Sequence, residues 1–460
     1  VKRVLLLLRR SFLCYIRGIM TLETNEQFLR AYDIIENSRR HVFLTGRAGT
    51  GKSTFLQYVR TRTQKNTVVL APTGVAAVNV KGQTLHSFFQ FRPDITPETV
   101  ADVRVRRARR EIYRSLDAII IDEVSMVRAD LLDCIDAFLR MHGPSSDEPF
   151  GGVQMIFIGD LFQLPPVVTR EEREIFEGHY PSPYFFDARV FSGIEVEYLE
   201  LETIYRQSED RFIRLLNAVR HNEIGEEDLK ILNARVQPDF EPPAVSFYVY
   251  LTTTNDLADR VNRSRLAALK GKIYEYAGEM EGTFEARNLP TQEVLGLKFG
   301  AQVMLLNNDS LGRWVNGSLG HVTDIIHGEE EDAIRVQLAD GPEVDVTPFT
   351  WEMYRFFYNK DSSRIESEVV GSFIQYPLRL AWAVTIHKAQ GKTFSHVVID
   401  IGRGTFSHGQ VYVALSRCTD LSGLVLKAPI GRRHVLMDER VVIFLENLKK
   451  QMRKRHLVLE

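Results

Sequence analysis

Short apolar runs alternate with amphipathic segments along the first half of the chain, which is the pattern of a parallel sheet flanked by helices. The runs are HVFLT (41–45), TVVLA (67–71), DAIII (117–121) and VQMIFIG (153–159). Each run is followed at once by a cluster of polar residues. Because sheets of this class bind their ligands at the carboxyl ends of the strands, we expect these clusters to carry the chemistry. The predicted fold class is α/β.

The second half carries its own series of apolar runs and predicts a second α/β lobe. These runs are VEYLEL (196–201), FYVYLTTT (247–254), LRLAWAVTI (378–386), HVVIDI (396–401) and SGLVLK (422–427). Residues 301–349 differ, because their short strands are broken by Gly, Asn and Asp turns, and this pattern predicts a small β-barrel. The charged stretch 350–370, which contains NKDSS, is predicted to be a mobile loop of that barrel.

The polar cluster after the first run has the spacing of a phosphate-binding loop, GRAGTGKST (46–54). Its glycines permit backbone conformations that turn successive N–H groups inward around an anion. Lys52 places a charge near the β- and γ-phosphates, and Ser53 offers a hydroxyl to Mg²⁺. We therefore predict an ATP site between a strand and a helix. The residues predicted to bind the nucleotide in this loop are Gly46, Gly49, Thr50, Gly51, Lys52, Ser53 and Thr54.

Two further polar clusters supply candidate catalytic residues. Asp122 is predicted to hold Mg²⁺ through its water shell, and Glu123 is predicted to accept a proton from the attacking water. The alternative is an ordinary acidic turn after a strand. Gln163 follows Gly159 by four residues and is predicted to sense the γ-phosphate or position water. The alternative for Gln163 is a polar residue that begins a helix.

Composition narrows the function classes. The 460 residues carry a net charge of −2, which argues against a protein that coats nucleic acid by bulk charge but leaves room for a local basic groove. The three cysteines lie far apart without C-x-x-C spacing, so we expect no zinc site or disulfide framework and a reducing intracellular compartment. Residues 1–19 carry five basic residues and no acid. They are either a transit-like peptide or residues upstream of a start at Met20, and we assign them no function.

Two arginines decide what kind of ATPase the sequence predicts. Arg206 lies in LETIYRQ and Arg417 in VYVALSRC, both far from the phosphate loop in sequence. A cation that reaches the γ-phosphate from a second lobe stabilises the transition state and couples lobe closure to chemistry. A surface arginine is the alternative for each. The second series of strands supplies a lobe from which such a cation would reach the nucleotide, and a nucleotide clamped between two lobes is the layout of a motor.

These motifs resemble the ordered motifs of superfamily-one helicases, in the Pif (petite integration frequency) and RecD branch that moves 5′→3′. The resemblance runs from about Asn25 to about Cys418. It includes APTGVAAVNVKGQTLHSFF (71–89) and LRLAWAVTIHKAQGKTF (378–394). The stretch DAFLRMHGPSSDEPFGGVQMIFIGDLFQLPPV (136–167) resembles the signature of the Pif proteins within the branch.

The resemblance implies roles for further residues. Gln27 would read the adenine, and Tyr205 would stack on it, with a buried aromatic as the alternative for Tyr205. Gly391 would approach the γ-phosphate, and Arg206 and Arg417 would be the second-lobe fingers. The resemblance also implies two RecA-like lobes with an inserted Src-homology-three-like barrel that caps the bound strand.

Domain boundaries follow from the motifs and the resemblance. The predicted divisions are 1–19, the N-terminal extension; 20–184, RecA-like lobe one with a wedge insertion at about 80–100; 185–300 and 371–435, lobe two; 301–370, the inserted barrel; and 436–460, a C-terminal helix.

Sequence-tolerant strand binding requires phosphate contacts and surfaces on which bases stack. The segment TLHSFFQFRP (84–93) clusters aromatic side chains next to Pro93 and Pro97, which predicts an irregular wedge; a buried core is the alternative. Small or polar groups at strand ends are predicted phosphate contacts. The residues predicted to contact single-stranded DNA are Thr73, Gly74, His86, Phe88, Pro165, Thr254, Asn255, Thr385 and His387.

The run RVRRARREIYR (104–114) contains six arginines and one acid. Most such runs are a solvated helix face. The alternative is an electrostatic track for the duplex or the displaced strand, in which case its neutralisation flattens the salt dependence of binding.

The predicted function is an ATP-dependent 5′→3′ DNA helicase that translocates on single-stranded DNA and unwinds duplex and forked DNA in genome maintenance, with G-quadruplex DNA as a further substrate class by resemblance. ATP and Mg²⁺ are the predicted cofactors. The alternatives are an RNA-directed motor, because nothing in the sequence reads a 2′-OH, and a nucleotide-gated single-strand clamp. The expected partners are single-stranded DNA and duplex junctions, without a membrane, and the expected state in solution is a monomer.

Overall fold

The fold is described from a computed structural model. The structure describes residues 26–168, 176, 178–203, 209–243, 246–284, 289–328, 332–401 and 407–459. The predicted N-terminal extension lies outside the described residues, as do Tyr205 and Arg206. In these described ranges, no helix is long and apolar enough to cross a membrane.

Helices and strands alternate in both outer parts of the chain, whereas strands follow one another directly in the middle. The α-helices of the described residues are α1 (Glu26–Asn37), α2 (Lys52–Arg62), α3 (Gly74–Asn79), α4 (Leu85–Phe89), α5 (Arg107–Arg114), α6 (Ala129–His142), α7 (Asp210–Arg220), α8 (Glu226–Asn233), α9 (Asn255–Ala268), α10 (Gln410–Leu415) and α11 (Glu439–Leu459). The strands are β1 (His41–Gly46), β2 (Thr67–Ala71), β3 (Gln83–Thr84), β4 (Ala118–Ile121), β5 (Gln154–Ile158), β6 (Val196–Leu201), β7 (Val249–Thr252), β8 (Tyr274–Ala277), β9 (Glu279–Gly282), β10 (Val294–Leu297), β11 (Gln302–Leu305), β12 (Leu319–Ile326), β13 (Ala333–Leu338), β14 (Glu343–Val346), β15 (Phe349–Asn359), β16 (Arg364–Gln375), β17 (Leu378–Leu380), β18 (Ala383–Thr385), β19 (Val397–Asp400) and β20 (Leu424–Leu426).

The sheet of the first lobe is parallel and has the order β3-β2-β4-β5-β1-β6 among the described strands. Strands β4 and β5 are buried along their whole length, as expected for a sheet covered on both faces. The carboxyl ends of β1, β4 and β5 therefore meet at one edge. This edge brings together the phosphate loop, the acidic pair and the cluster that follows Gly159.

Strand β6 corrects the predicted boundary between the lobes. The prediction that 196–201 opens the second lobe is wrong, because β6 pairs in parallel with β1. The helix α11 also packs on the first lobe, where Phe444 stacks on Phe186 with ring centroids 4.3 Å apart. The chain thus leaves lobe one after β6 and returns to it at its end.

The second lobe has a parallel sheet with the order β18-β7-β19-β20. The run 378–386, predicted to be one strand of this lobe, is instead divided between two sheets. Its first part, β17, pairs antiparallel with β11 of the neighbouring domain, and its second part, β18, pairs parallel with β7. Residues 378–386 therefore connect the inserted domain to lobe two.

The short strands predicted in 301–349 are confirmed, and with β17 from outside that range they form an antiparallel sheet with the order β14-β13-β12-β11-β17. The predicted mobile loop at 350–370 is wrong: β15 and β16 form a long antiparallel hairpin, from Phe349 opposite Gln375 to Asn359 opposite Arg364. The aromatic residues of FTWEMYRFFYN favour a strand, and this preference outweighs the charge of the stretch. The Src-homology-three-like assignment stays a prediction.

The β15–β16 hairpin lies against lobe one. The backbone N–H of Phe356 donates to Gln83 Oε1 at 3.1 Å, and the N–H of Ile365 donates to Asn66 Oδ1 at 3.1 Å. The hairpin tip therefore rests beside β2 and β3, next to the segment predicted to form the wedge.

Candidate nucleotide site and strand-binding edge

The phosphate loop connects β1 to α2, as the sequence predicts. Gly49 and Gly51 have φ values of 81° and 88°, a left-handed region that residues with a Cβ rarely adopt. These two glycines let the chain turn back before α2. Lys52 Nζ donates to the carbonyl oxygens of Gly46 at 2.7 Å and Arg47 at 3.0 Å. The ammonium group therefore lies inside the loop that it is predicted to serve.

Acids at the same edge of the sheet favour the charged form of Lys52. Burial lowers the pKa of Lys52, while Asp160, Glu123 and Asp122 oppose that shift. Because three carboxylates act on this ammonium through their charge, an anion that binds here also needs other hydrogen-bond donors. The backbone N–H groups at the start of α2 are such donors.

The residues predicted to hold Mg²⁺ fit that ion in their chemistry. Asp122 directly follows β4, where its N–H donates to Leu70 O at 2.9 Å, and Ser53 is exposed in the first turn of α2. Both offer oxygen ligands, and Mg²⁺ takes only one or two protein ligands when phosphates and water supply the others. In the described part of the chain, no group of three or more His, Cys, Asp and Glu residues forms a separate metal site.

Glu123 has the properties of a general base. Its φ of 51° places it in the left-handed region, an uncommon conformation for a residue with a side chain and one that recurs at functional sites. Burial and the neighbouring Asp122 raise its pKa to about 7, although Lys52 and Arg417 act in the opposite direction. Gln390 of the second lobe donates from Nε2 to Glu123 Oε2 at 3.0 Å. Glu123 is therefore oriented by a side chain from across the cleft and titrates near neutral pH.

Asp160 is the centre of a buried network that the sequence analysis missed. Its side chain is 1% exposed and accepts hydrogen bonds from Arg220 Nη2 at 3.1 Å and Gln163 Nε2 at 3.2 Å. The guanidinium of Arg220 also stacks over Phe162, 4.3 Å from the ring centroid. Gln163, predicted to sense the γ-phosphate, is thus tied to Asp160. One feature of the sequence indicates Asp160, because this residue follows β5 at the same sheet edge as Glu123.

Tyr412 of α10 joins this network to the phosphate loop. Its hydroxyl accepts a hydrogen bond from the N–H of Ala48 at 3.3 Å and donates to Asp160 Oδ2 at 3.4 Å. Burial, with Asp160 as a further cause, raises the pKa of Tyr412 to about 12, so the hydroxyl keeps its proton at neutral pH. A single side chain of lobe two therefore contacts two elements of the site on lobe one.

The structure places other predicted nucleotide ligands as follows. Arg417 is 1% exposed, and its Nη1 donates to the carbonyl oxygens of Lys392 at 3.2 Å and Ala389 at 3.4 Å. It therefore braces the loop that contains Gly391, whose φ is 79°. Gln27 in α1 accepts a hydrogen bond from the N–H of Glu202 at 3.2 Å. The finger role of Arg417 and the adenine contact of Gln27 stay predictions.

The predicted strand contacts recur at equivalent positions in the two lobes. Thr73 follows β2 and caps the N-terminus of α3, and Thr254 follows β7 and caps α9, each through its side-chain oxygen. Gly74 and Asn255 are the first residues of the two helices. His387 is exposed beyond the end of β18. Two strand-to-helix turns thus present matching polar groups at the same edge of each sheet.

Two predicted strand contacts do not have the required exposure. The segment 85–89 is the helix α4 rather than a loop, and Phe88 is 2% exposed, with its ring 5.4 Å from that of Tyr113. Phe88 is therefore not accessible to a base, and the core interpretation applies. Thr385 is 4% exposed, and its hydroxyl accepts a hydrogen bond from the N–H of Lys388. His86 and Pro165 remain half-buried at the surface.

The fold and the site define a nucleotide-binding protein with two RecA-like lobes. Residues 21–229 match the family described as PIF1-like helicase, and residues 380–425 match the UvrD-like helicase C-terminal domain. The chain is 32% identical to the ATP-dependent DNA helicase Pif1 of Bdellovibrio bacteriovorus over 96% of this chain and 98% of the relative. It therefore belongs to the PIF1-like helicase family.

Other relatives give the same family and show how the lengths compare. The human ATP-dependent DNA helicase PIF1 is 34% identical over 91% of this chain, but the match spans 62% of the human protein. The structure of Bacteroides Pif1 with ADP-AlF4 is similar with a TM-score of 0.85 and 36% identity, covering 93% of this chain and 97% of that chain. Bacteroides Pif1 bound to single-stranded DNA is similar over the same shares of both chains, with 37% identity and a TM-score of 0.66.

Proposed function

We propose that this protein is an ATP-dependent DNA helicase that moves 5′→3′ on single-stranded DNA. The observation that carries the proposal is the contact between Gln390 and Glu123 across the cleft. Gln390 lies three residues after His387, a predicted strand contact, so one short segment of lobe two would connect the strand to the predicted base. Such a connection would couple movement of the strand to hydrolysis of ATP.

The site residues divide the chemistry among themselves. Lys52 and the N–H groups of the phosphate loop bind the phosphates, while Glu123 takes the proton from the attacking water. Mg²⁺, held by Ser53 and Asp122, would neutralise the developing charge on the phosphates. Arg417 and Arg206 would complete the site from lobe two as the lobes close. Solved structures of Bacteroides Pif1 with ADP-AlF4 and with single-stranded DNA support both ligand classes for this chain.

The strand is proposed to lie across the two equivalent strand-to-helix turns. Thr73 on lobe one and Thr254 on lobe two would contact backbone phosphates, and each lobe would hold the strand while the other moves. Such contacts read no base, in keeping with a translocating enzyme.

Strand displacement tests the motor and its direction together. We expect a duplex with a 5′ single-stranded tail to be unwound in the presence of ATP and a duplex with a 3′ tail to remain intact. The Glu123→Gln variant should unwind neither. Unwinding from the 3′ tail alone would contradict the polarity, and a strand-stimulated ATPase that displaces no duplex would favour the clamp. Comparing ATPase stimulation by DNA and RNA strands of equal length distinguishes a DNA helicase from an RNA-directed motor.

Replacing Tyr412 with Phe is expected to weaken the coupling between strand and nucleotide. The change removes the hydrogen bonds to Ala48 and Asp160 and leaves the ring in place. The loss of about 1 kcal/mol that such bonds typically contribute should reduce strand-stimulated kcat by roughly five- to ten-fold, with the unstimulated rate within about two-fold of wild type. Steady-state ATPase assays with and without single-stranded DNA measure both rates.

Tyr250→Phe is the matched control, because the Tyr250 hydroxyl is bonded to Phe240 O within lobe two. This variant should keep wild-type stimulation. An equal fall of the stimulated and unstimulated rates in Tyr412→Phe would show that the Tyr412 hydroxyl acts only on the structure of the site.

A further inference from the structure

A group of exposed arginines on lobe one has no part in the site described above. We call it the arginine face, and it consists of Arg104, Arg106, Arg107, Arg110 and Arg114. Within α5, Arg107, Arg110 and Arg114 have i, i+3, i+7 spacing and share one side of the helix. Ile112 and Tyr113 are buried on the other side. The amphipathic helix thus turns its positive charges together toward solvent.

Nearby acids do not neutralise this face. Among the described residues, none of its five arginines forms an ion pair, and Glu111 of α5 pairs instead with Lys360 of the β15–β16 hairpin at 3.2 Å. Burial lowers the pKa of His142 at the end of α6, and Arg110 and Arg114 lower it further, so their field extends across the neighbouring helix. On a chain of net charge −2, this face attracts a polyanion locally.

The arginine face lies beside the segment predicted to separate the strands. The helix α5 is fixed to α4 because Tyr113 OH donates to Phe88 O at 2.7 Å and Arg109 Nη1 donates to the same oxygen at 3.4 Å. The helix α4 carries His86, a predicted strand contact, and exposed Arg92 follows it. The arginine face therefore lies next to the predicted strand contact at His86.

We propose that the arginine face binds the phosphate backbone of the duplex that enters the enzyme. The proposal rests on the proposed helicase function, since a duplex is presented to α5 only when its single-stranded tail is held at α4. The helix rises about 10 Å from Arg107 to Arg114. Duplex DNA presents about six phosphates along that length, enough for the three arginines of α5 to contact one each.

The test compares two variants that remove the same charge from exposed helix surfaces. One is Arg107→Gln/Arg110→Gln/Arg114→Gln on α5, and the matched control is a triple variant of α11. The control consists of Lys450→Gln, Arg453→Gln and Lys454→Gln, at exposed positions. Gln retains helix propensity in both. Binding is measured over a range of salt concentrations for a single strand, for the same strand continued into a duplex, and for a fork with two tails.

We expect the wild-type protein to show a steeper dependence of affinity on salt for the tailed duplex than for the strand alone. The α5 variant should lose that difference, with the slope of log K against log salt falling by about 0.9 for each arginine that contacts a phosphate. The control should keep the difference. Binding of the single strand and strand-stimulated ATPase should stay unchanged in the α5 variant, which also shows that it is folded.

Other outcomes overturn the proposal. If the salt slope is unchanged in the α5 variant, these arginines contact no phosphate. If the slope falls equally for the single strand, the arginine face binds the single-stranded tail rather than the duplex. A fall confined to the two-tailed fork assigns the face to the displaced strand. If the salt slope for the tailed duplex also falls in the α11 control, the effect comes from the net charge of the protein and not from the arginine face. Failure of the helicase function itself would appear separately, as the absence of strand-stimulated ATPase in the wild-type protein.

Discussion

Replacing Glu123 with Gln is expected to lower strand-stimulated ATP turnover roughly a thousand-fold, within the range for loss of a general base, while nucleotide binding stays near wild type. Gln has the shape of Glu and still accepts the hydrogen bond from Gln390, but it does not take a proton from water. Steady-state ATPase assays measure the turnover, and titration with a non-hydrolysable ATP analogue measures the binding.

The raised pKa of Glu123 adds a second, independent readout. A base with a pKa of about 7 gives a rate that increases as pH rises through 7, because only the carboxylate accepts a proton. For stability the sign is opposite. The unfolded chain releases this proton near pH 4.5, well before the folded protein does, so the free energy of unfolding falls as pH rises between these values. A neutral amide at position 123 avoids this cost, and the Glu123→Gln variant should be at least as stable as wild type at about pH 8.

If Glu123→Gln loses activity while its stability is unchanged or increased, the loss comes from the chemical step and not from misfolding. Glu148→Gln is the matched control, because Glu148 is exposed and far along the chain from the phosphate loop. It should leave both readouts unchanged. A ten-fold or smaller loss of turnover in Glu123→Gln would exclude Glu123 as the base.

The sequence predicts the part of the site that is built from contiguous motifs. Lys52 follows β1 through the phosphate loop, and Asp122 and Glu123 follow β4 directly. The rule that parallel strands gather ligands at their carboxyl ends is enough to bring the three together. Arg220 and Tyr412 were missed for a different reason. Their contacts with Asp160 join residues 60 and 252 positions apart, and neither lies in a spacing pattern that indicates chemistry.

The errors in the fold have physical causes of the same kind. Composition alone does not say which sheet a strand joins, and β6 pairs with β1 of lobe one although it precedes the second lobe in sequence. In 350–370 the charges indicated a loop, but the aromatic residues of β15 pair with β16 along the whole hairpin. The phenylalanines of α4 are apolar enough for either a wedge or a core, and only the packing of Phe88 decides between them.

Replacing Arg220 with Met is expected to destabilise the fold by about 3–5 kcal/mol, the cost of leaving a buried charge without its partner. Both side chains of the Asp160–Arg220 pair are at least 97% buried, and their closest atoms are 3.1 Å apart. Thermal and urea unfolding measure the loss. Arg211→Met, on the exposed side of α7, is the matched control and should change stability by less than about 0.5 kcal/mol.

The pH dependence shows whether the loss comes from Asp160. Burial by itself would raise the pKa of Asp160, but Arg220 and Lys52 lower it below its ordinary value. In wild type the pair therefore stabilises the fold above the ordinary pKa of Asp, and that stability is lost as pH falls through the lower folded value. Without Arg220, burial prevails and the pKa rises. The Arg220→Met variant should therefore regain stability relative to wild type as the solution is acidified.

The double variant Asp160→Asn/Arg220→Met separates the loss of charge pairing from the loss of packing. The amide introduced at position 160 carries no charge to desolvate, so the double variant should be more stable at neutral pH than Arg220→Met alone, and its stability should lose the acid-dependent recovery. If both variants are equally unstable at every pH, the contribution of Arg220 is packing against Phe162 rather than pairing with Asp160. If the double variant recovers stability but not ATPase activity, the role of the charged pair is to hold Gln163 and Tyr412 in position at the site.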